Sequence, residues 1–492
     1  MNYKELKSGT DVRGVASDKG GKAVNLTDAA VYDIASAFAL WLSEKYGKKS
    51  TELTLAVGHD SRISADRISA QVIKALSHRG VHILNCDLAS TPAMFMTTVD
   101  LGTDGAIQIT ASHHPFDRNG LKFFTKEGGI DSAQLGDIIK IAEEGGFEKC
   151  DGAEVRDVDY MAQYAAGLRK KICNGIGKNE ADKPLSGYHI VVDAGNGVGG
   201  FYARDVLAPL GADVSGSRFL EPDGMFPGHI PNPEDKVAMQ SITEAVLESG
   251  ADLGVIFDTD VDRAGCVDCF GEEINRNRLI ALASIIAAEG RTGATIVTDS
   301  VTSDGLKEFI EKDLSLKHYR YRRGYKNVID KAIELCSQGI DCPLAIETSG
   351  HAALRENYFL DDGAYLITKI IIELGKGRDL NKTLKALKCP IEERECRFNI
   401  TEEAFKVYGL RVIDELEAFV SKNPETFTVA DDNREGLRVS TKYGWFLLRL
   451  SVHDPVMPMN FESDEEGGID KMIALIKPFF ETFEGLDISA MK

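Results

Sequence analysis

The sequence predicts an α/β protein with three related α/β domains, built of mixed sheets with flanking helices, and a smaller C-terminal α+β domain. Three segments share one order, in which an apolar, β-rich run leads into a polar loop and a helix-like stretch; the runs begin at Leu55, Ile190 and Thr295. Each segment continues into a second apolar run and a loop rich in hydroxyl or charged groups, with the runs at 105–110, 253–257 and 343–346. Alternating strands and helices indicate α/β units, and in such sheets function collects on loops at the carboxyl ends of strands.

The chain from about Cys389 onward lacks this strand–loop–helix unit. Strands are predicted at 397–400, 427–430, 436–440 and 445–450, and helices at 404–421 and 469–483. Strands flanked by helices in this way are typical of a small α+β domain. We therefore place four domains at 1–155, 156–270, 271–388 and 389–492.

Composition and charge argue against a nucleic-acid-binding or membrane protein. The 492 residues are 43% hydrophobic, enough for several ordinary cores, and the formal net charge is −20. This charge repels nucleic acid and anionic membrane surfaces at long range, so a site for an anionic substrate must be locally basic. The longest apolar run, Leu279–Ala288, is too short to span a bilayer and predicts a buried helix.

The amino terminus and the cysteines indicate a cytoplasmic protein. Residues 1–20 are polar and charged and lack the apolar stretch of a secretory signal. Nine cysteines at irregular spacings favour reduced thiols. Cys266 and Cys269 have the Cys-x-x-Cys spacing but no second pair to complete a zinc site, and their neighbours predict a strand that runs into a turn.

The first reactive-looking loop is Thr110-Ala-Ser-His-His-Pro115. A serine at a strand end, such as Ser112, suits covalent catalysis, in which a hydroxyl splits one difficult transfer into two easier ones. The hydroxyl needs a base and charge stabilisation nearby, and His113 and His114 are its neighbours. A turn with solvated histidines explains the same hexapeptide.

The second loop, Asp258-Thr-Asp-Val-Asp-Arg263, follows an apolar strand. Its three carboxylates would converge at the strand end and repel one another unless a cation lay between them. Oxygen ligands alone favour a hard divalent ion such as Mg²⁺. A calcium loop of the EF-hand type is excluded, because Arg263 stands where that loop requires Gly and Cys269 where it requires Glu. An acidic solvated turn is the remaining alternative.

The third loop is Glu347-Thr-Ser-Gly-His351. Its Glu, Ser and His side chains can bind sugar hydroxyls through paired acceptors and donors. A helix N-cap at Ser349 explains the motif about as well.

The densest basic patch in the chain runs from His318 to Lys326 and includes Arg323. Basic residues between aromatic ones can bind nucleic acid, but a single patch in an acidic chain favours a phosphate clamp. A solvated strand edge is the alternative. Arg13 within Gly9–Gly14, and Arg62 in Asp60-Ser-Arg62, each lie among small or polar residues that permit close approach to an anion.

Taken in order, these loops and the distinct C-terminal domain resemble the α-D-phosphohexomutase superfamily, and within it the phosphomannomutase/phosphoglucomutase group. The resemblance extends from Gly9 to at least Asn460. It implies an isomerase that acts as an intramolecular phosphotransferase. The implied fold has three related α/β domains and a fourth domain of TATA-binding-protein-like topology around one central cleft.

The resemblance also implies roles for individual residues. Ser112 matches the phosphoserine, and the Mg²⁺ ligands match Asp258, Asp260 and Asp262, with the phosphoserine giving a further oxygen. The other matches are Arg13 near the phosphoserine, Lys122 as general acid/base, Arg263 completing the aspartate loop, Glu347 and Ser349 for sugar hydroxyls, and Lys326 as a substrate contact. Proton transfer to and from the sugar oxygens is expected from Lys122 and His351, with His113 beside the nucleophile and Arg323 beside the substrate.

The fourth-domain loop departs most from the pattern of the superfamily. The usual Arg-x-Ser-Gly-Thr-Glu-Pro reads Arg449-Leu-Ser-Val-His-Asp-Pro455 here, and Pro458 stands where a second Arg is usual. Arg449 and Ser451 remain to bind the substrate phosphate that is not reacting, and His453 stands in for the Thr.

The expected activity interconverts hexose 1-phosphate and hexose 6-phosphate, of glucose and/or mannose. Phospho-Ser112 gives its phosphoryl group to the sugar, and hexose 1,6-bisphosphate serves as intermediate and activator. The partners are then small hexose phosphates, without nucleic acid or membrane, and the protein is a monomer or a weak homo-oligomer. The alternatives are a phosphoglucosamine mutase, a sugar-bisphosphate synthase, and a non-catalytic sugar-phosphate-binding paralogue.

Overall fold

The computed structural model describes residues 2–451 and 454–491. The chain divides into two compact units. The first unit comprises Met1–Leu279 and Ser349–Asn381, and the second comprises Ile280–Thr348 and Lys382–Lys492. No helix in the described residues combines the length and the apolar character needed to cross a membrane.

The elements follow one another in chain order and carry the labels used below. The strands are β1 (Lys7–Ser8), β2 (Asp11–Val15), β3 (Thr54–His59), β4 (His82–Leu88), β5 (Gly105–Ile109), β6 (Arg118–Thr125), β7 (Gly128–Gly129), β8 (Val155–Asp157), β9 (Ile190–Asp193), β10 (Leu253–Phe257), β11 (Ala264–Asp268), β12 (Glu273–Ile274), β13 (Thr295–Thr298), β14 (Lys317–Arg320), β15 (Leu344–Ile346), β16 (Ala352–Leu354), β17 (Leu360–Asp361), β18 (Glu392–Ile400), β19 (Thr428–Val429), β20 (Leu437–Thr441), β21 (Gly444–Leu448), β22 (Val456–Ser463) and β23 (Leu486–Asp487). The α-helices are α1 (Asp28–Tyr46), α2 (Ala65–His78), α3 (Thr91–Asp100), α4 (Ser132–Glu144), α5 (Tyr160–Ile176), α6 (Lys236–Ser249), α7 (Arg276–Ala287), α8 (Asp304–Glu308), α9 (Tyr325–Ser337), α10 (Gly363–Gly375), α11 (Leu380–Leu384), α12 (Phe405–Ser421) and α13 (Gly468–Phe480).

The first sheet of the first unit is mixed. Its order is β1-β2-β6-β5-β3-β4-β8, with β7 paired to β6. Strands β5, β3, β4 and β8 run parallel, whereas β6 and β2 are antiparallel to their neighbours. Helices α1, α2 and α4 cover it with a buried core that includes Phe38, Leu42 and Phe123. All residues of β5 are buried, so the loop that follows starts from a rigid support.

The second sheet of the first unit has the order β12-β11-β10-β9. Strand β10 is buried along its whole length and lies parallel to β9 and antiparallel to β11. Its sequence, Leu-Gly-Val-Ile-Phe, is the continuous apolar run that a strand covered on both faces requires. The first unit also contains the antiparallel hairpin of β16 and β17, followed by α10, whose N-cap Asp362 accepts from the Tyr365 N–H.

The second unit contains the parallel strands β14, β13 and β15 and an antiparallel sheet with the order β19-β20-β21-β22-β18-β23. Helices α12 and α13 pack on the antiparallel sheet over a core that includes Phe398, Leu416 and Phe446. This arrangement is the α+β tail that the sequence predicts. The predicted helix over Leu279–Ala288 is also present, since all of it except Ala288 belongs to α7.

One central strand of the tail is absent from the sequence-based prediction. Strand β22 pairs with both β21 and β18, although it contains Pro458, which reads as a strand breaker. The Pro458 nitrogen carries no hydrogen and so needs no acceptor, and the Pro458 carbonyl oxygen accepts from the Arg449 N–H at 2.9 Å. The carbonyl side of the residue is thus paired although proline has no N–H to donate.

The nine cysteines all lie in the described part of the chain, and no disulfide joins any two of them there. Cys266 is buried in β11, and Cys269 lies exposed in the turn after it. The predicted strand-to-turn course of this Cys-x-x-Cys segment is therefore confirmed.

Candidate active site

The loop after β5 holds Ser112 in a defined orientation. The Ser112 N–H donates to Thr110 Oγ1 at 2.9 Å, and the Thr110 hydroxyl donates to Asp60 Oδ2 at 2.7 Å. Ser112 has a φ of 49°, in the left-handed region that few residues other than glycine occupy. Its hydroxyl donates to Asp258 Oδ2 at 3.1 Å. The loop therefore directs the candidate nucleophile at the aspartate loop.

The aspartate loop leaves the buried end of β10 and turns sharply. Asp258 and Asp260 are fully buried, and Asp262 is 1% exposed. Val261 between them has a φ of 66°, an outlier for a β-branched residue. The Val261 carbonyl oxygen accepts from the Gly363 N–H at 3.1 Å, at the start of α10. The turn brings carboxylate oxygens of all three aspartates within 4.8 Å of one another.

The electrostatics of the three aspartates fit a hard cation. Burial raises the pKa of Asp258 well above its usual value, and the charges of Asp262 and Asp260 raise it further. Burial acts in the same direction on Asp262, but the positive charges beside it, of which Lys122 has the largest effect, outweigh it, so the pKa of Asp262 lies below its usual value. Asp260 Oδ1 and Asp262 Oδ1 are buried without a hydrogen-bond donor. Oxygens of this kind, close together and unsatisfied, are the ligands that a divalent cation takes.

Lys122 lies on β6 and places its ammonium group against the aspartate loop. Its Nζ donates to Asp262 Oδ2 and lies 3.6 Å from Asp260 Oδ2. Lys122 is 5% exposed. A buried cation at this position offsets part of the carboxylate charge of the aspartate loop.

Arg263 closes the aspartate loop and is held by His351. The Arg263 Nε–H donates to His351 Nε2 at 2.8 Å, and His351 Nδ1 lies in short contact with Asp361 Oδ2. Because Nε2 accepts this hydrogen bond, the ring proton lies on Nδ1, from which it can be donated to the Asp361 carboxylate. Both ring nitrogens of His351 therefore face protein groups.

The two histidines after Ser112 are stacked, with ring centroids 5.2 Å apart. Burial, together with Arg263, lowers the pKa of His113 to about 2, and burial lowers the pKa of His114 to about 3. His113 Nδ1 lies 3.4 Å from Ser112 Oγ. Since both rings are neutral at ordinary pH, His113 offers the serine hydroxyl a neutral nitrogen rather than a charge.

Arg13 on β2 contacts the start of the same loop. Its guanidinium donates to the Thr110 carbonyl oxygen and to Asp11 Oδ2, the latter at 2.7 Å. Arg13 is 7% exposed. The first unit therefore brings together Ser112, His113, Lys122, Arg13, Arg263, His351 and the three aspartates, and Ser349 lies buried two residues before His351.

The second unit gathers the other candidate binding residues. Glu347 follows β15, and its Oε1 accepts from the Gly324 N–H at 2.5 Å, immediately before α9. The Arg323 N–H donates to Glu435 Oε2 at 3.1 Å. Lys326, in the first turn of α9, pairs with Asp330 at 2.6 Å.

Arg449 enters this cluster from the antiparallel sheet. It is 8% exposed, and its guanidinium donates to Asn460 Oδ1 at 3.1 Å. Burial lowers the pKa of Arg449, and Glu435 opposes the shift. Arg449 Nε is buried without an acceptor, so this cation has binding capacity left. The Ser451 hydroxyl accepts from the Asp454 N–H at 3.2 Å. His453, the residue expected to stand in for Thr, lies outside the described residues.

Sequence reasoning missed three residues of these clusters. Thr91 donates its hydroxyl to Asp260, Asp361 contacts His351, and Glu435 faces Arg323. Asp361 could have been found, since it begins an Asp-Asp-Gly sequence at the end of a strand. Nothing local distinguishes Thr91 or Glu435, because tertiary contacts alone give them their position.

Comparison with known proteins places these features in one family. Residues 5–149, 162–271 and 275–388 match domains I, II and III of the family described as phosphoglucomutase/phosphomannomutase, alpha/beta/alpha. The chain is 27% identical over 478 residues to a phosphoglucomutase of Neisseria gonorrhoeae, covering 96% of each chain. It is 28% identical over 449 residues to a phosphomannomutase/phosphoglucomutase of Pseudomonas putida, covering 90% of each.

A solved structure of a phosphoglucomutase/phosphomannomutase family protein from Burkholderia thailandensis has the same fold. The TM-score is 0.80 at 24% identity, with 98% of both chains covered. The matched domains span well over half of the chain, and the serine and aspartate loops lie within them. The chain therefore belongs to the phosphoglucomutase/phosphomannomutase family.

Proposed function

We propose that this chain is a phosphosugar mutase that interconverts hexose 1-phosphate and hexose 6-phosphate, of glucose and/or mannose, through phospho-Ser112 and a bisphosphorylated sugar. The observation that carries the proposal is the hydrogen bond from the Ser112 hydroxyl to Asp258, within a cluster of three buried carboxylates. Phosphoryl transfer depends mainly on positioning and on charge stabilisation, and this arrangement supplies both.

The donor set supports Mg²⁺ as the resident ion. Asp258, Asp260 and Asp262, with an oxygen of the phosphorylated Ser112, would hold it, because hard oxygen ligands suit Mg²⁺. When bound, the ion offsets the negative charge on the transferring phosphoryl group. Lys122 and Arg263 border the same loop and add two fixed positive charges for that group.

The transfer moves one proton as well as the phosphoryl group. The bond from phosphorus to Ser112 Oγ breaks, a bond to the sugar oxygen forms, the sugar hydroxyl loses a proton and Ser112 Oγ gains one. Lys122 is our proposed general acid/base, because its Nζ lies beside the aspartate loop. His113 is the second group within reach of Ser112 Oγ. We assign His351 to holding Arg263, because both its ring nitrogens face protein groups.

The remaining candidate residues are proposed to hold the substrate. Glu347 and Ser349 would bind the sugar hydroxyls, and Arg323, Lys326, Arg449, Ser451 and His453 the phosphate that is not reacting. The buried Arg449 Nε without an acceptor supports this assignment, since an anion would satisfy it. Asn460 Oδ1 accepts a hydrogen bond from the Arg449 guanidinium and thereby fixes its position.

The enzyme must begin each cycle phosphorylated, so we propose hexose 1,6-bisphosphate as its activator. The lack of disulfides among the nine cysteines of the described residues supports a reducing compartment such as the cytoplasm. A monomer or weak homo-oligomer is the expected state.

The test combines mass and activity. Intact-mass analysis after incubation with glucose 1,6-bisphosphate and Mg²⁺ should find one phosphate on Ser112, and Ser112→Ala should abolish both the phosphate and the conversion of glucose 1-phosphate. The control is Ser36→Ala, because Ser36 is a fully buried serine whose hydroxyl has no hydrogen-bond partner. Activity that survives in Ser112→Ala would refute the mechanism.

A substrate panel of glucose, mannose and glucosamine 1-phosphates defines the specificity. We expect turnover of the glucose and mannose compounds to exceed that of glucosamine 1-phosphate. Tight binding of glucose 1,6-bisphosphate without turnover of any of them would instead indicate a non-catalytic sugar-phosphate-binding protein.

A further inference from the structure

The guanidinium of Arg62 lies beneath the nucleophile loop, which is defined here as residues 110–118. Arg62 is 50 residues away from Ser112 in the chain and belongs to the turn after β3. The residue is 2% exposed, and its side chain is fully buried. The Arg62 guanidinium has no assigned part in the phosphoryl transfer, although it is buried next to the nucleophile.

Every N–H of this guanidinium has an acceptor. Its Nε–H donates to Asp60 Oδ2 at 3.1 Å. The two terminal nitrogens donate to four backbone carbonyl oxygens of the nucleophile loop: those of Ser112, His114, Pro115 and Arg118, with distances of 2.6 Å to His114 and Pro115 and 3.0 Å to Arg118. An arginine has five N–H donors in a fixed plane, and all five are used here.

These contacts determine the conformation of Ser112. The Ser112 carbonyl oxygen points down to the guanidinium, while the Ser112 N–H is bound by Thr110 on the other side. With both backbone groups held, the residue keeps its left-handed φ of 49°. That φ directs the hydroxyl to Asp258, so a change in the carbonyl position would move the reacting oxygen.

The position of Arg62 is itself fixed on two sides. Asp60 is fully buried and accepts from the backbone N–H of Arg62 as well as from its Nε–H. The ring of Phe226 covers the guanidinium at 5.2 Å. Gly224 approaches so closely that a Cβ there would lie 2.3 Å from Ile63 N. The guanidinium therefore has a carboxylate at one end, an aromatic face against it and the loop carbonyls along its plane.

We propose that Arg62 is a positioning residue for phosphoryl transfer, which holds the nucleophile loop through its four carbonyl contacts so that Ser112 Oγ faces the aspartate loop. The inference rests on the proposed function for the reaction it serves. A lysine cannot replace Arg62, because an ammonium group has three donors on a single atom and cannot span four carbonyls and Asp60.

The test compares Arg62→Lys with Arg79→Lys. Arg79 is a matched control, since it is 6% exposed, lies in the same unit and stacks on Phe147 at 5.5 Å. We expect Arg62→Lys to lower kcat for glucose 1-phosphate by about 100-fold with KM changed less than about threefold, as a small misplacement of reacting groups does. Arg79→Lys should keep kcat within about threefold of the wild type even where its Tm falls.

Hydrogen exchange provides a readout that does not depend on turnover. In folded Arg62→Lys, the amides of the nucleophile loop should exchange at least about 10-fold faster, whereas those of α1 should be unchanged. Unchanged loop exchange, or a normal kcat despite faster exchange, overturns the inference. A kcat that falls only in proportion to Tm in both arginine variants also overturns it. If the wild type converts no hexose phosphate, the proposed function fails by itself, and the exchange result still decides whether Arg62 holds the loop.

Discussion

Replacement of Glu462 with glutamine is expected to stabilise the second unit above about pH 7 and to have little effect near pH 4.5. Glu462 lies on β22, is 6% exposed, and accepts at Oε1 from the Trp445 indole N–H at 3.0 Å. Burial raises the pKa of Glu462 from 4.5 to about 7. The folded chain thus binds a proton here at pH values where the unfolded chain has lost it.

The sign and size of the effect follow from this difference. Because the folded state binds more protons between pH 4.5 and about pH 7, the free energy of unfolding falls as the pH rises through this window. A difference of roughly two and a half pKa units corresponds to about 3 kcal/mol, since each unit is worth 1.36 kcal/mol. Glutamine keeps the acceptor for Trp445 and carries no charge, so Glu462→Gln should recover up to that amount at high pH.

The assay is denaturant unfolding followed by Trp445 fluorescence. The chain has two tryptophans, so a Trp41→Phe background leaves Trp445 as the reporter beside the substituted group. The difference in unfolding free energy between Glu462→Gln and its parent should grow from near zero at about pH 4.5 to about 3 kcal/mol at about pH 8. Glu466→Gln, at an exposed position in the same segment, is the control. A difference that is the same at both pH values would refute the reasoning.

Two further predictions concern the supports of the aspartate loop. Asp361→Ala should lower kcat about 10- to 100-fold, because loss of the carboxylate that orients His351 releases this ring from Arg263. Asp361→Asn should lower kcat less. A normal kcat in both variants would contradict this prediction. Gly363→Ala should destabilise the chain by about 1–3 kcal/mol and weaken Mg²⁺ binding in calorimetry, because its Cβ would lie 2.7 Å from the Arg263 carbonyl carbon. Gly167→Ala on α5, with nothing within 4 Å, should instead stabilise by about 1 kcal/mol, and an equal loss in both would refute the steric argument.

The parts of the fold that the sequence predicts are those with a strong local pattern. The runs before the serine and aspartate loops became β5 and β10 because they are apolar and bounded by polar turns. Strand β22 escaped prediction because Pro458 argues against a strand and only its two partners, β18 and β21, outweigh that local signal. Pairing with strands distant in sequence is the information that a local pattern lacks.

The residues of the candidate site fall into two groups, those that a local sequence motif indicates and those that only tertiary contacts place in the site. Ser112 and the three aspartates could be proposed from the sequence because each motif is contiguous, and the structure brings them together. The role of Arg62 could not be found, since Asp60-Ser-Arg62 is short and its partners are carbonyl groups that any sequence supplies. The partners of His351 could not be found from the sequence either. Its motif suggested proton transfer, and the structure adds Arg263 and Asp361 as partners of its ring nitrogens.

The two loops that meet at Ser112 and Asp258 share a further property. Each contains a residue other than glycine in the left-handed region, Ser112 with a φ of 49° and Val261 with a φ of 66°. Such a conformation costs about 1–3 kcal/mol and persists only where surrounding contacts fix it. Arg62 fixes the first through the Ser112 carbonyl, and the Gly363 N–H fixes the second through the Val261 carbonyl. The carbonyl clamps beneath the loops, rather than the reacting side chains alone, therefore determine where the hydroxyl and the carboxylates meet.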